Sequence, residues 1–580
     1  MPNETTPKEQ KVPYSRHIFL FPFKWDITNG KPAQSIPLEE RIDMGKMQEI
    51  MSNCEKHWTC EDFDIKTNYN QASYFYQFVH PALFHVKETD FTTVLNYTYS
   101  PKEGKFIIKI ENRPSEYTLH IEAIKLSFYR TGVGVLSFHL SNHEHGETAD
   151  ILYINEYGRR IYPQFLENDG VKNTKKAFLA DEVTLELGED EKTIIKETFK
   201  NFDSDKTPPQ NFLPEHILGL LGSSFYTDNT ANTATVLISP IVDDRMFVVS
   251  CYLNDVVSNS LKKRKHGFKK GKHGSDEYNY LTNDFWYKYL FIDKDKPSCR
   301  NEALKKQLLE RHSYSRWVED NQLFGICRYT FVCLTNKEHD WLYGQMSGNY
   351  FLATQLVLMQ RASILRFSDE ITHISHLEKN KDLSKRIGEL HKHYIQFINK
   401  LYFREVTAQE QGIELYEMLQ TNAKIDRDIS TLDQELQELH DYAVLIEEQA
   451  RNDRLELLTI IGALFLAPSF LTGFFGMNLF GEGLSIKNEP IYCFVVVFFT
   501  LLALAVLLYY LSKNVRAKKG NKWWPLTIGF ALLAAMLVAM LLPCWFGKPK
   551  QAEQNTSCPK ENKTELKDTN NTQPPPKLEQ

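Results

Sequence analysis

Cysteine is sparse in this 580-residue chain: nine residues, widely spaced, with no C-x-x-C pair. That argues against a disulfide framework or a zinc ribbon and points to reduced thiols in a cytoplasmic domain. A one-sided charge is also missing, since 68 basic and 74 acidic residues leave −6. The overall balance therefore gives no reason to expect a nucleic-acid partner. The N-terminal stretch MPNETTPKEQKVPYSRHIF has no apolar core, so no secretory signal is expected, and Glu4 and Glu9 argue against a mitochondrial transit peptide. Proline is absent between Pro297 and Pro468, and glycine is scarce there, which favours long helices. GLLGSS at 219–224 lacks the lysine of a phosphate loop. No nucleophile–base constellation stands out, and no enzyme is expected.

What is present is strongly asymmetric. A hydrophobic fraction of 42% and a charged fraction of 24% are ordinary for folded protein. The mean hydropathy of −0.41 hides the fact that the long apolar runs cluster after residue 457 while most charge precedes it. Three uncharged runs, 457–476, 491–511 and 525–546, each approach the roughly 20 residues that a helix needs to cross about 30 Å of hydrocarbon. Lys513, Arg516, Lys518, Lys519 and Lys522 lie between the second and third runs, whereas the loop after the first carries Glu482 and Glu489 against Lys487 alone. The positive-inside rule then puts the large N-terminal part in the cytoplasm and the tail 547–580 outside. Lys548 and Lys550 run against that last placement. The tail, rich in Pro, Asn, Thr, Lys and Glu, reads as disordered.

Residues 1–337 contain short β-type runs, among them HIFLFPF, FTTVLNYTY, YTLHIEAIKLSFY, VGVLSFHL and MFVVSCYL, with EDEKTIIKETFKNF between them expected as helix. A mixed α+β domain with an antiparallel sheet is the expectation. Residues 338–456 read as a helical stalk. Ile425, Ile429, Leu432, Leu436, Leu439, Ala443, Ile446 and Ala450 alternate spacings of four and three, which is a heptad seam. Two partners for that seam are open: helices of the same chain near 345–405, or other subunits around an oligomer axis.

A second stripe follows in the first apolar run: Asn452, Leu455, Thr459, Gly462, Leu466, Ser469 and Gly473. Small residues at this spacing serve close helix packing, or line a watery path. GFFGMN, residues 473–478, comes next. Placed after a long charged helix and shortly before another apolar run, this Gly-Met-Asn resembles the CorA family of divalent-cation transport proteins. The likeness covers roughly 420–524, including LLTIIGALFLAPSFLTGFFGMN and the basic, Trp-containing KNVRAKKGNKWW. The chain departs from the family pattern at Phe475, where Tyr is common, in the position of Pro468, in the loop that lacks MPEL, and in having a third run.

The resemblance implies a multi-pass protein of the cell (inner) membrane. It implies a homo-oligomer, a pentamer, with Mg2+ carried inward and also acting as a regulatory ion at acidic sites that the sequence does not locate. No further cofactor is implied, and the partners are membrane lipid, other copies of the chain and divalent cations, with cobalt or nickel as secondary substrates. Gly476, Met477 and Asn478 would form the selectivity filter, with Asn478 holding the metal through its hydration water. Asn452, Leu455, Leu458, Leu466, Ser469 and Gly473 would line the pore. Zinc transport within the same family, and a non-conducting membrane-anchored sensor or scaffold, are the alternatives. Of the remaining ligand-capable groups, His143, Glu144, His145, Glu147 and Asp150 match no zinc spacing, nor do Cys54, His57 and Cys60. The basic run 262–274 reads as a solvated loop.

Overall fold

The structure, a computed structural model, describes residues 12–54, 58–86, 91–111, 116–162, 179–188, 194–199, 213–227, 235–242, 244–262, 278–375 and 381–476. The chain divides into two compact units, Met1–Asn452 and Asp453–Gln580.

Unit one is built on a mixed sheet of fourteen strands among the described residues. In chain order these are β1 (Ser15–Ile27), β2 (Thr59–Cys60), β3 (Val94–Tyr99), β4 (Lys105–Lys109), β5 (Tyr117–Tyr129), β6 (Val133–Asn142) and β7 (Glu182–Glu186). There follow β8 (Ile194–Thr198), β9 (Phe225–Tyr226), β10 (Val236–Pro240), β11 (Phe247–Leu253), β12 (Ser313–Tyr314), β13 (Leu323–Cys327) and β14 (Thr330–Thr335). The main path runs β12-β13-β14-β11-β1-β6-β5-β4-β7-β8; β11–β14 and β9–β10 pair in parallel.

β1 is central, and its apolar run FLFPF is buried on both faces instead of alternating. One edge of it pairs with β6 throughout, while the other pairs first with β11 and then with β10. Pro22, which has no N–H to donate, falls in the gap between the β11 and β10 pairings. Gly134 lies opposite Phe23, whose ring occupies the space a Cβ would need.

Ile194–Thr198 is a strand rather than the expected helix. Cross-strand chemistry explains this: β8 lies antiparallel to β7, and Lys196 Nζ reaches Glu182 Oε2 at 2.6 Å.

Four helices complete the part of the unit that matters here: α1 (Asn349–Ser375), α2 (Lys381–Lys400), α3 (Glu410–Ala423) and the first part of α4 (Ile425–Gly476). α1 packs on β1 and β6 with one side and on α2 and α3 with the other, so it is buried nearly all round. Two of its buried glutamines are accordingly paired. Gln355 Nε2 donates to Ser127 Oγ and Tyr129 Oη at 2.8 and 2.7 Å, and Gln360 Nε2 donates to the Leu401 carbonyl at 3.0 Å. The change of element type near residue 337, just after β14, thus falls inside one compact unit.

A buried ionic cluster ties α1 to the sheet. Arg366 donates to Asp26 Oδ1 at 2.6 Å and to the carbonyls of Trp25 and Gly132 at 2.9 and 2.6 Å. Arg41 makes two parallel bonds to the Glu370 carboxylate, at 2.8 and 2.6 Å, and a third to Asp26 at 3.1 Å. Burial alone would raise the Glu370 carboxyl, but the bond from Arg41 and the charges of Arg366, Arg41 and Lys24 outweigh it and hold it at about 2.

Candidate functional site

The heptad seam finds its partner within the chain. Ile425, Leu432, Leu436 and Ala443 are buried in the same core as Leu383, Ile387, Leu390, Tyr394 and Phe397 of α2, with Ile429, Leu439 and Ile446 packed against it. Polar contacts fix the two helices side by side: Ser384 Oγ donates to Glu447, the rings of His391 and His440 stack at 5.2 Å, and Tyr402 Oη donates to Asp426 at 2.7 Å. Of the two open partners, the intramolecular one fills the seam. Tyr442, Val444 and Leu445, on the other side of the helix, stay exposed.

Residues 425–450 carry eight acidic side chains against one Arg427. Such a helix favours cations along its length.

In the second unit, the described residues are the helical turns 453–476. The first apolar run, 457–476, is helical throughout, through Pro468 to Gly476. Helical geometry places Leu455, Thr459, Gly462, Leu466, Ser469 and Gly473 along one stripe, continuing from Asn452, while Leu458 lies one position off it. Asn452, Leu455, Leu458, Leu466 and Ser469 are all exposed, with Leu458 and Leu466 at 66% and 69%. The Thr459 hydroxyl donates to the Leu455 carbonyl at 2.8 Å, so it asks nothing of its surroundings. Leu457, Ile461 and Phe465 are exposed as well.

Gly476 is the last helical residue described. Met477, Asn478, the runs 491–511 and 525–546 and the tail 547–580 lie outside the described residues. Among the described residues no helix is long and apolar enough to cross a membrane.

The other sequence candidates separate clearly. Asn142 Oδ1 accepts the Glu144 and His145 amides, and the His145 ring sits on Tyr117 at 4.9 Å, so that segment is a packed turn. GLLGSS forms the C-terminal end of the helix Glu215–Leu221, the wrong end for a phosphate. The basic run 262–274 falls, after Lys262, outside the described residues. Cys54 donates to the Leu221 carbonyl at 3.4 Å, and His57 lies outside the described residues. Cys60, which spacing groups with them, instead meets Asp62 and His85. Sequence spacing gives no signal for that pairing, because it arises from strand register.

Residues 363–513 match the family described as CorA-like Mg2+ transporter protein. Over this stretch the chain is similar to the CorA-like family. The match begins within α1, takes in α2, α3 and α4, and extends through GFFGMN and the second apolar run; the third run lies beyond it. The description of that family names a transporter of Mg2+. No curated protein matches the chain.

Proposed function

We propose that this protein carries Mg2+ into the cytoplasm through a homopentameric pore, driven by the membrane potential. The observation that carries the reading is the CorA-like match running unbroken through GFFGMN at the end of a helix whose stripe of small and moderately sized residues stays in register from Asn452 to Gly473. Five such helices facing one another would put Asn452, Leu455, Leu466, Ser469 and Gly473 on the conduit, with Leu458 at its side.

A ring of five Asn478 carboxamides at the outer mouth, shaped by Gly476 and Met477, suits Mg2+ chemically. Magnesium loses its water reluctantly and prefers oxygen ligands, so amide oxygens can hold the hydrated ion by hydrogen bonds. A carboxylate ring would bind more tightly and slow release, whereas conduction needs weak sites. Leu455, Leu458 and Leu466 are suited to a dry constriction that gates flow. The exposed apolar surface of Leu457, Ile461 and Phe465 fits contact with lipid or with the second and third spans. The acidic residues of 425–450 would hold cytoplasmic divalent ions, through which Mg2+ can regulate its own entry.

The energetics need no nucleotide. At −100 mV a divalent cation gains about 4.6 kcal/mol on entering, enough for roughly 2,000-fold accumulation. The test is reconstitution of the full chain into liposomes loaded with a Mg2+-sensitive dye. The expected result is Mg2+ influx that rises with an imposed inside-negative potential. Absence of influx at any potential would leave a non-conducting sensor or scaffold, and faster entry of Zn2+ than Mg2+ would point to zinc transport.

A further inference from the structure

Far from the apolar helix in sequence, the sheet edge brings together three side chains of different ligand chemistry. Cys60 ends β2, opposite Tyr97 of β3. The chain stays extended beyond it, with the Glu61 amide donating to the Asn96 carbonyl at 2.8 Å. Asp62 then forms a parallel bridge with His85, closed by the Phe63 amide donating to the His85 carbonyl at 2.9 Å. Residues two apart on an extended segment present their side chains to the same side, so Cys60 and Asp62 face together. Their thiol sulfur and carboxylate oxygen and a ring nitrogen of His85 all lie within 4.8 Å of one another.

Two buried groups beside them point to a ligand. His85 is only 4% exposed, yet its Nδ1 has no hydrogen-bond partner, and Nε2 stands 3.8 Å from Asp62 Oδ1, too far for a hydrogen bond. The Tyr97 hydroxyl is likewise buried without a partner. Buried polar groups are normally satisfied, and two orphans beside one thiol and one carboxylate are unusual. A cavity of about 270 Å3, lined by Asp62, His85, Asn96 and Tyr97 among others, adjoins the group.

We propose that Cys60, Asp62 and His85 bind a divalent transition-metal ion of the zinc class, with water completing a tetrahedron. Sulfur, nitrogen and oxygen donors in one site suit zinc, cobalt or nickel, while magnesium takes oxygen ligands. Bonds of about 2.0–2.3 Å require the donors to close to roughly 3.5 Å apart. Asp62, whose side chain is one-third exposed, is the donor whose carboxylate would swing inward. Binding converts the Cys60 thiol to thiolate and releases its proton to solvent. Tyr97, opposite Cys60 across the ladder, carries the buried hydroxyl that would donate to a ligand oxygen or to the bound water and orient the shell. The site lies in the first unit and is independent of ion conduction. It would let the soluble part bind transition metals at concentrations where Mg2+ does not compete.

The experiment is a Co2+ titration of the reduced, detergent-solubilised full chain, followed by thiolate-to-cobalt charge-transfer absorption, with Zn2+ and Mg2+ as competitors. The wild type is expected to take up one ion per chain with that band, which Zn2+ abolishes and excess Mg2+ leaves. Cys60→Ser should lose the band and Cys54→Ser should keep it. Asp62→Asn and His85→Gln should weaken Co2+ binding by about tenfold or more. Circular dichroism follows folding, and the exposed Asp62→Asn decides the matter if Cys60→Ser fails to fold. A wild type without the band, a band that survives Cys60→Ser, or unchanged affinity in Asp62→Asn would overturn the proposal.

Discussion

Arg366 and Asp26, 340 residues apart in sequence, meet at 2.6 Å with both side chains only 1% exposed. This pair locks α1 against β1 and so fixes the base from which α2, α3 and α4 extend. A buried pair is costly to break because the remaining partner keeps its charge without solvent. Arg366→Met should therefore destabilise the first unit by about 3–5 kcal/mol. Urea unfolding followed by the fluorescence of buried Trp25 and Trp286 measures it, and a loss below about 1 kcal/mol would contradict the buried role.

Gly132 closes the β5–β6 hairpin at φ +75°, and a Cβ there would fall on the Arg366 guanidinium and on Ile42. Both the left-handed backbone and the close approach require glycine. Gly132→Ala should cost at least about 1 kcal/mol, and unfolding indistinguishable from wild type would show that the hairpin can shift without disturbing the cluster.

Acid should weaken this unit in two stages. Burial holds His17 at about 4 and His216 at about 3, both below the ordinary 6.5; the bond to Asn155 partly offsets the effect at His17. Since the folded values are depressed, the unfolded chain binds more protons below pH 6.5, and stability falls as pH drops from there toward 4. Between pH 6.5 and 5 each should remove about 2 kcal/mol. Glu370 adds a later loss as pH falls from about 4.5 toward 2, because its depressed carboxyl stabilises the fold only while ionised. Urea midpoints at pH 7, 5 and 4 read the sequence of events; a flat profile between 7 and 5 would contradict the first stage.

His216 also has neither ring nitrogen bonded and lies among Phe106, Phe138 and Phe199. Removing a buried polar group that lacks a partner relieves its desolvation. His216→Leu should stabilise by about 1 kcal/mol and flatten the pH 7-to-5 slope. Loss of stability at pH 7 would indicate that the imidazole has a partner after all.

The seam can be tested by contrast. Leu436 is 2% exposed and Leu445 is 56% exposed on the same helix. Leu436→Ala should cost about 2–5 kcal/mol, whereas Leu445→Ala should change stability by less than about 0.5 kcal/mol. Equal losses would mean that both faces are packed in the folded protein.

Much of the first unit is legible in the sequence because its strands carry dense β-branched and aromatic runs: HIFLFPF, YTLHIEAIKLSFY and VGVLSFHL all lie in the central strands. The spacing of Ile425 to Ile446 announces a helix face, but periodicity alone does not name its partner; the contacts with Leu383 to Phe397 do. Ile194–Thr198 is missed because Lys and Glu dominate its surroundings, and only the facing strand β7 gives Lys196 its partner, Glu182. Asp26–Arg366 and Cys60–His85 leave no trace in spacing, since strand register and helix packing create them. Met477 and Asn478 are the reverse case: the motif is plain in the sequence, and the residues lie outside those described.

The most direct measurement is potential-driven Mg2+ influx into liposomes holding wild-type protein or Asn478→Ala at matched density. The carboxamide is expected to be needed, so the variant should lose most of its influx while still eluting as the same oligomer. Influx equal to wild type in a correctly assembled Asn478→Ala protein would contradict the account.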